Sequence, residues 1–226
     1  MKGKGERSYP SGLISAPACF QSHRAAVELF QELFIKGFNL LEVVGFTAGL
    51  LYVLLNIRQN VWCWPAGLVS VTAYLIVFWE VRLYADMGLQ VFYIGLSLYG
   101  WYYWLHGGRD DGEAPVVRLA RRQAAVAALL GLAGTALMGY LLARFTDADL
   151  PYWDSATTVF SLVATWMTAR KILENWLLWI AVDTLYVFIY VYKGLYLTSV
   201  LFALYLVLAT TGYFAWKRTM PAPEPA

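Results

Sequence analysis

Charge is what this chain has least of. Only 14% of its 226 residues are Asp, Glu, Lys or Arg, where a soluble domain carries about 25%. That is too little to coat a water-soluble fold, so a soluble enzyme is excluded. The net charge of +2 is too small to suggest nucleic acid as a partner. Cysteine is almost absent: Cys19 lies in a tail and Cys63 inside an apolar run, which makes no disulfide framework. Histidine is confined to His23 and His106, so no His/Cys cluster offers a metal site. No Gly-rich phosphate loop is present, whether GxGxxG or Walker, and nothing suggests ATP drive. No cofactor is expected. The segment ahead of His23 mixes Lys2, Lys4, Arg7, Pro10 and Pro17 with short apolar runs. It lacks the continuous stretch of about 7–15 apolar residues that a signal peptide needs.

What the chain has is apolar length: 60% of its residues are hydrophobic and 17% aromatic. A bilayer-spanning helix takes roughly 20 apolar residues. Apolar runs fall at Asn39–Leu55, Val61–Trp79, Leu89–Leu105, Ala124–Ala143, Ser155–Met167, Trp176–Val191 and Leu195–Trp216, the fifth of them short. The expectation is an all-α integral membrane protein with seven transmembrane helices in a lipid bilayer. Before them, Ala26, Leu29, Phe30, Leu33 and Phe34 recur at helical spacing opposite a polar face. That segment predicts an amphipathic helix, either on the membrane surface or packed on the bundle. His106–Gln123, broken by Gly107, Gly108, Gly112 and Pro115, is the one real linker. Arg58, Arg109, Arg118, Arg121, Arg122, Arg170, Lys171, Lys217 and Arg218 gather on one side of the expected membrane. The excess of Lys and Arg puts that side in the cytoplasm. The C-terminus is then cytoplasmic and the N-terminus outside, although the basic N-terminal tail argues the other way.

Sliding the chain against itself uncovers a duplication. At an offset of 112, without gaps, Arg58/Arg170, Trp64/Trp176, Thr72/Thr184, Tyr74/Tyr186, Leu83/Leu195 and Tyr84/Tyr196 are identical. Leu89/Leu201, Tyr93/Tyr205, Leu96/Leu208, Gly100/Gly212 and Trp104/Trp216 follow. Gapless Trp and Gly matches are hard to obtain from shared composition. The repeat is three helices long, so the extra helix at Ala124–Ala143 restores a common orientation. A 3+1+3 plan of two parallel repeats follows, with this division: tail and amphipathic helix 1–38, first repeat 39–105, loop and linker helix 106–145, second repeat 146–218 and tail 219–226. Parallel repeats of this kind occur in transporters, with the substrate between them near the midplane.

Polar groups inside a membrane are costly, so each is a site candidate. Trp176, Trp179, Asp183, Tyr186 and Tyr190 share one face of the sixth helix. Gln90, Tyr93, Ser97, Trp101 and Trp104 form a similar stripe on the third. Aromatic faces with a single carboxylate suit a flat, cationic heteroaromatic ligand held by stacking and cation–π contact. The bland reading makes Trp104, Tyr190 and Trp216 interfacial belt residues and Asp183 part of a network with Thr184 or Lys193. Asp183 stands opposite Val71 in the repeat and Gln90 opposite Phe202. Matched residues fit a scaffold role; unmatched polar ones supply the asymmetry that an asymmetric ligand requires.

Several motifs also resemble a known family, the Pnu vitamin transporters, across Leu41 to Trp216. They are Leu-Glu-Val-Val-Gly at 41–45, Leu-Gln-Val-Phe-Tyr at 89–93, Tyr-Gly-Trp-Tyr-Tyr-Trp at 99–104 and Pro-Tyr-Trp-Asp-Ser at 151–155. The most specific is Thr-Ala-Arg-Lys-Ile-Leu-Glu-Asn-Trp-Leu-Leu-Trp at 168–179. The resemblance implies a seven-helix fold similar to SWEET sugar transporters, a homo-oligomer in a bacterial inner membrane, and uncoupled import of a small-molecule vitamin. It also implies a cytoplasmic kinase that traps the vitamin by phosphorylation. Nicotinamide riboside is the leading substrate and thiamine or another aromatic vitamin the alternative, ahead of a scaffold or an enzyme. Asp183 and Lys193 stand where the nicotinamide riboside branch of the family carries Asn and Gln. Stripes and resemblance together nominate Gln90, Tyr93, Trp101, Asn175, Trp176, Trp179, Asp183 and Tyr186 as substrate-binding residues.

Overall fold

Long apolar runs have one low-energy option in a bilayer, which is to satisfy every backbone group within a helix. In the computed structural model of the chain, residues 40–80, 82, 84–108 and 112–220 are described. The amphipathic segment around residues 23–38 lies outside them. Seven helices occur among the described residues: α1 (Leu40–Ile57), α2 (Cys63–Glu80), α3 (Tyr84–His106), α4 (Arg121–Phe145), α5 (Pro151–Ala169), α6 (Asn175–Tyr192) and α7 (Tyr196–Thr219). Five of them, α1, α2, α4, α6 and α7, are long and apolar enough to cross a membrane. The protein is an α-helical membrane protein.

The other two helices carry more polar side chains. On α5 the hydroxyls of Ser155, Thr157, Thr165 and Thr168 each reach a carbonyl one turn back in their own helix. A hydroxyl bonded in this way no longer carries the full cost of leaving water.

Helix ends recur at the offset of 112: 57 and 169, 63 and 175, 80 and 192, 84 and 196. The turns repeat bond for bond. Gln59 N–H donates to Asn56 O and Asn60 N–H to Leu55 O, while Lys171 N–H donates to Thr168 O and Ile172 N–H to Met167 O. Gln59 and Lys171 hold positive φ angles of 54° and 50°, the left-handed residue that closes a helix C-terminus. Arg82 and Gly194, at 62° and 71°, do the same after α2 and α6.

Glycines set the close contacts. A Cβ on Gly100 would strike the Trp64 ring, and one on Gly212 would strike the Trp176 ring. Gly131, Gly134 and Gly139 of α4 lie against Phe160, Val159 and Tyr152 of α5. Small residues of this kind let membrane helices approach closely. The core is a chain of four tryptophans, Trp64, Trp104, Trp216 and Trp176. Successive ring centroids lie 5.5, 5.7 and 5.5 Å apart. The belt expectation therefore fails for Trp104 and Trp216. Both are almost fully buried, because each indole N–H finds a carbonyl inside the bundle. Tyr190 is half-buried and stacks on Tyr186 and Phe202.

The linker after α3 is a strap. Val117 forms an isolated parallel bridge to Ile172, with Val117 N–H donating to Lys171 O and Leu173 N–H to Val117 O. Leu119 N–H donates to Glu174 Oε2 at 2.8 Å, and Arg118 lies 3.7 Å from the same carboxylate. Beneath it, Lys171 is buried with Nζ 4.5 Å over the Trp104 ring. Burial holds its ammonium below the ordinary lysine pKa.

Candidate functional site

A cavity of about 210 Å³ lies between α1, α6 and α7. Helix α6 contributes Trp176, Trp179, Asp183 and Tyr186, which helical spacing places on one face. Helix α1 adds Tyr52, Val53 and Asn56, and α7 adds Phe202, Tyr205 and Ala209. The aromatic wall is layered: the Tyr186 and Phe202 rings are 4.4 Å apart, and Tyr190 stacks on both. Asp183 is 5% exposed and has no hydrogen-bond or ion-pair partner among the described residues. Thr184 turns its hydroxyl back to Ile180 O, and Lys193 is exposed, so neither supports a capping network around the carboxylate. A buried carboxylate without a partner is costly until a cation or hydrogen-bond donor arrives. The cavity is thus suited to a planar ligand that stacks and carries positive charge.

Of the eight nominated residues, the structure brings Trp176, Trp179, Asp183 and Tyr186 together at this cavity. Tyr93 lies on α3 and does not line it. Asn175 is fully buried, with Nδ2 donating to Ile172 O at 2.6 Å and Oδ1 lying 3.1 Å from Thr168 Oγ1. Trp101 packs against the tryptophan core, and Gln90 is half-buried on α3, away from the cavity. Gln90 and Tyr93 are the offset equivalents of Phe202 and Tyr205, so the third-helix stripe has its cavity-lining counterpart on α7.

Tyr52, Asn56 and Phe202 are lining residues that the stripes did not nominate. For Tyr52 and Phe202 the signal lay in the offset comparison. Tyr52 packs over Gly67, whereas the equivalent positions in the second half hold Ala164 and Trp179. Large and small residues have changed places between the halves. Only Trp176, Tyr186 and Tyr205 of the lining have identical partners at the offset.

A larger groove of about 760 Å³ runs between α3, α4 and α5. Phe92 and Leu130 in it are 67% and 63% exposed, which puts it on the outer face of the bundle. It holds no buried carboxylate or amide and is a weaker candidate.

Comparison with known proteins agrees with the fold. A model of the nicotinamide mononucleotide transporter family matches residues 39–218. The nicotinamide riboside transporter PnuC of Escherichia coli (strain K12) is 30% identical over 201 residues, covering 78% of this chain and 84% of that relative. The riboflavin/roseoflavin transporter RibM of Streptomyces davaonensis is 28% identical over 180 residues, covering 77% of this chain and 83% of its own. Among solved structures, the crystal structure of the vitamin B3 transporter PnuC matches with a TM-score of 0.62 over 89% of this chain and 88% of that one. At 24% identity, that likeness speaks for the fold. With the match running from the start of α1 to the end of α7, the chain belongs to the nicotinamide mononucleotide transporter family and is a multi-pass membrane transporter of the Pnu type.

Proposed function

We propose that the protein imports nicotinamide riboside across a bacterial inner membrane by facilitated diffusion, through the cavity between α1, α6 and α7. The observation that carries the reading is the buried, unpaired Asp183 carboxylate beside Trp176, Trp179 and Tyr186. The pyridinium ring of nicotinamide riboside is flat and cationic. It would stack on the aromatic wall and offset Asp183, and the ribose would bring hydroxyls for the remaining polar groups. The proposed binding set keeps Trp176, Trp179, Asp183 and Tyr186 at its centre. Tyr93 would be a neighbour of that set, Asn175 its structural support, and Gln90 and Trp101 groups that meet the ligand in another state of the cycle.

The reading includes a 3+1+3 arrangement, with α1–α3 and α5–α7 as parallel repeats and α4 joining them. The matched helix ends and turns support it. It also takes the C-terminus as cytoplasmic and the N-terminus as outside, supported by the basic residues at that end of the bundle. A homo-oligomer and a cytoplasmic kinase that traps the vitamin complete the proposal. No ion coupling is proposed.

One observation favours a second substrate. RibM, a riboflavin/roseoflavin transporter by name, is nearly as similar to this chain as the nicotinamide riboside transporter. Uptake of labelled nicotinamide riboside into proteoliposomes, with thiamine and riboflavin as competitors, tests the choice. Saturable uptake, insensitive to ionophores and competed best by unlabelled nicotinamide riboside, is expected. Brisk thiamine or riboflavin uptake with no nicotinamide riboside uptake would overturn the substrate and leave the fold standing.

A further inference from the structure

The two halves treat one pair of equivalent positions differently. In the second half, Thr168 and Asn175 satisfy one another: Thr168 Oγ1 reaches both Ala164 O at 2.9 Å and Asn175 Oδ1 at 3.1 Å. Asn175 Nδ2 donates to Ile172 O. In the first half the same positions hold Asn56 and Cys63. A thiol is a weak hydrogen-bonding group and cannot replace the carboxamide. Asn56 is 2% exposed, lines the cavity, and its Oδ1 is buried without a hydrogen-bond partner. Its backbone is meanwhile held in place, since Asn56 O accepts the Trp216 indole N–H at 2.9 Å and the Gln59 N–H at 2.9 Å.

A buried polar atom left without a partner costs free energy, and native proteins keep few of them. Here the orphan acceptor belongs to a side chain on a fixed backbone, and that residue lines the cavity that holds Asp183. We infer that Asn56 is a specificity-determining residue, whose carboxamide takes a hydrogen bond from an N–H or O–H donor of the bound vitamin. The inference rests on the proposed transport site and adds to it a second recognition point. Asp183, two helical turns from Trp176 along α6, answers charge. Asn56, at the end of α1, answers a neutral donor. A ligand that stacks and carries charge but lacks the donor leaves Asn56 unpaired and is discriminated against. Rejection of this kind is strong because the site's own polar group is stranded.

The two donors nicotinamide riboside could offer are its amide N–H and a sugar hydroxyl. The test measures Kd by calorimetry for wild type, Asn56→Ala and Asn56→Thr. The ligands are nicotinamide riboside, its 3-acetylpyridine counterpart, which lacks the amide N–H, and its 2′-deoxy and 5′-deoxy forms. Thr is the residue at the equivalent position of the second half, so that variant keeps a hydroxyl on a backbone that accepts one. Thermal unfolding in detergent reports whether each variant folds. Asn56→Ala is expected to weaken nicotinamide riboside about tenfold or more, and Asn56→Thr less. One analogue should lose affinity in wild type and lose nothing further in Asn56→Ala, which identifies the donor.

A folded Asn56→Ala with unchanged affinity, or an equal loss for every analogue, overturns the inference. If wild type binds thiamine or riboflavin instead, the nicotinamide riboside reading fails. Asn56→Ala is then read on that vitamin by the same criterion. If none of the three vitamins saturates the wild type, both readings fall.

Discussion

Trp104 and Trp216, matched at the offset of 112, meet with ring centroids 5.7 Å apart, and each donates its indole N–H to a carbonyl across the bundle. Trp104 Nε1 reaches Thr168 O at 3.1 Å, and Trp216 Nε1 reaches Asn56 O at 2.9 Å. The two acceptors, Asn56 and Thr168, are equivalent in the same way. One bond is the other carried through the internal duplication, so the pair is a reciprocal clasp between α3 and the end of α5, and between α7 and the end of α1.

Replacing either indole by a phenyl ring keeps most of the packing and removes the donor. Trp104→Phe and Trp216→Phe are each expected to cost about 1 kcal/mol, because a buried carbonyl loses one of its two donors and keeps the turn N–H. Trp104→Phe should cost the more, because Lys171 Nζ also lies over the Trp104 ring, and the double variant should depart from the sum of the two costs. Thermal unfolding in detergent checks both points. Wild-type melting of either single variant would show that its indole bond adds nothing to stability.

Gly100→Ala and Gly212→Ala each drive a methyl group into a tryptophan ring, Trp64 in the first case and Trp176 in the second. Overpacking of this kind costs about 1–3 kcal/mol. Only Trp176 lines the cavity. Both variants should therefore lose stability, but only Gly212→Ala should also weaken the vitamin. Calorimetric Kd values beside melting curves separate the two effects.

Asp183→Asn removes the charge and keeps the shape. A cationic vitamin should bind about tenfold or more weakly, each factor of ten being about 1.4 kcal/mol. Riboflavin, whose ring system is neutral, should change little. Equal losses for both ligands would mean that Asp183 is a packing residue rather than a counter-charge.

Glu174 ties the strap to α6 by accepting the Leu119 N–H and facing Arg118. Glu174→Ala should release it at a cost of about 1 kcal/mol. Limited trypsin digestion should then cleave faster after Arg118 and Arg121. An unchanged digestion rate would show that the Val117–Ile172 bridge holds the strap without help.

Five of the helices are legible in the sequence because their runs are long and apolar, and the offset of 112 is legible because gapless tryptophan matches are hard to obtain from shared composition. The α6 half of the cavity is legible too, since Trp176, Trp179, Asp183 and Tyr186 obey a helical period. Asn56 is not. It sits at the end of α1, next to the turn, where a polar residue reads as solvent-facing, and only the partner it lacks marks it out. Trp104 and Trp216 mislead for a related reason. Near a helix end an indole reads as an interfacial anchor, and its burial depends on a carbonyl contributed by the other half of the chain. Asn175 lies inside the most specific family motif, but its carboxamide is consumed by Thr168 and Ile172. Spacing along one helix cannot reveal a bond made across a turn.

The turns that close α1 and α5 have one further consequence. Each holds a backbone carbonyl for an indole on one side and starts a helix whose tryptophan covers a glycine on the other. One residue advances an α-helix by about 100° around its axis. Adding or removing a residue between Asn56 and Trp64, or between Thr168 and Trp176, would swing that tryptophan off its glycine while the carbonyl stayed put. These turns act as gauge blocks, and their length should tolerate substitution far better than insertion.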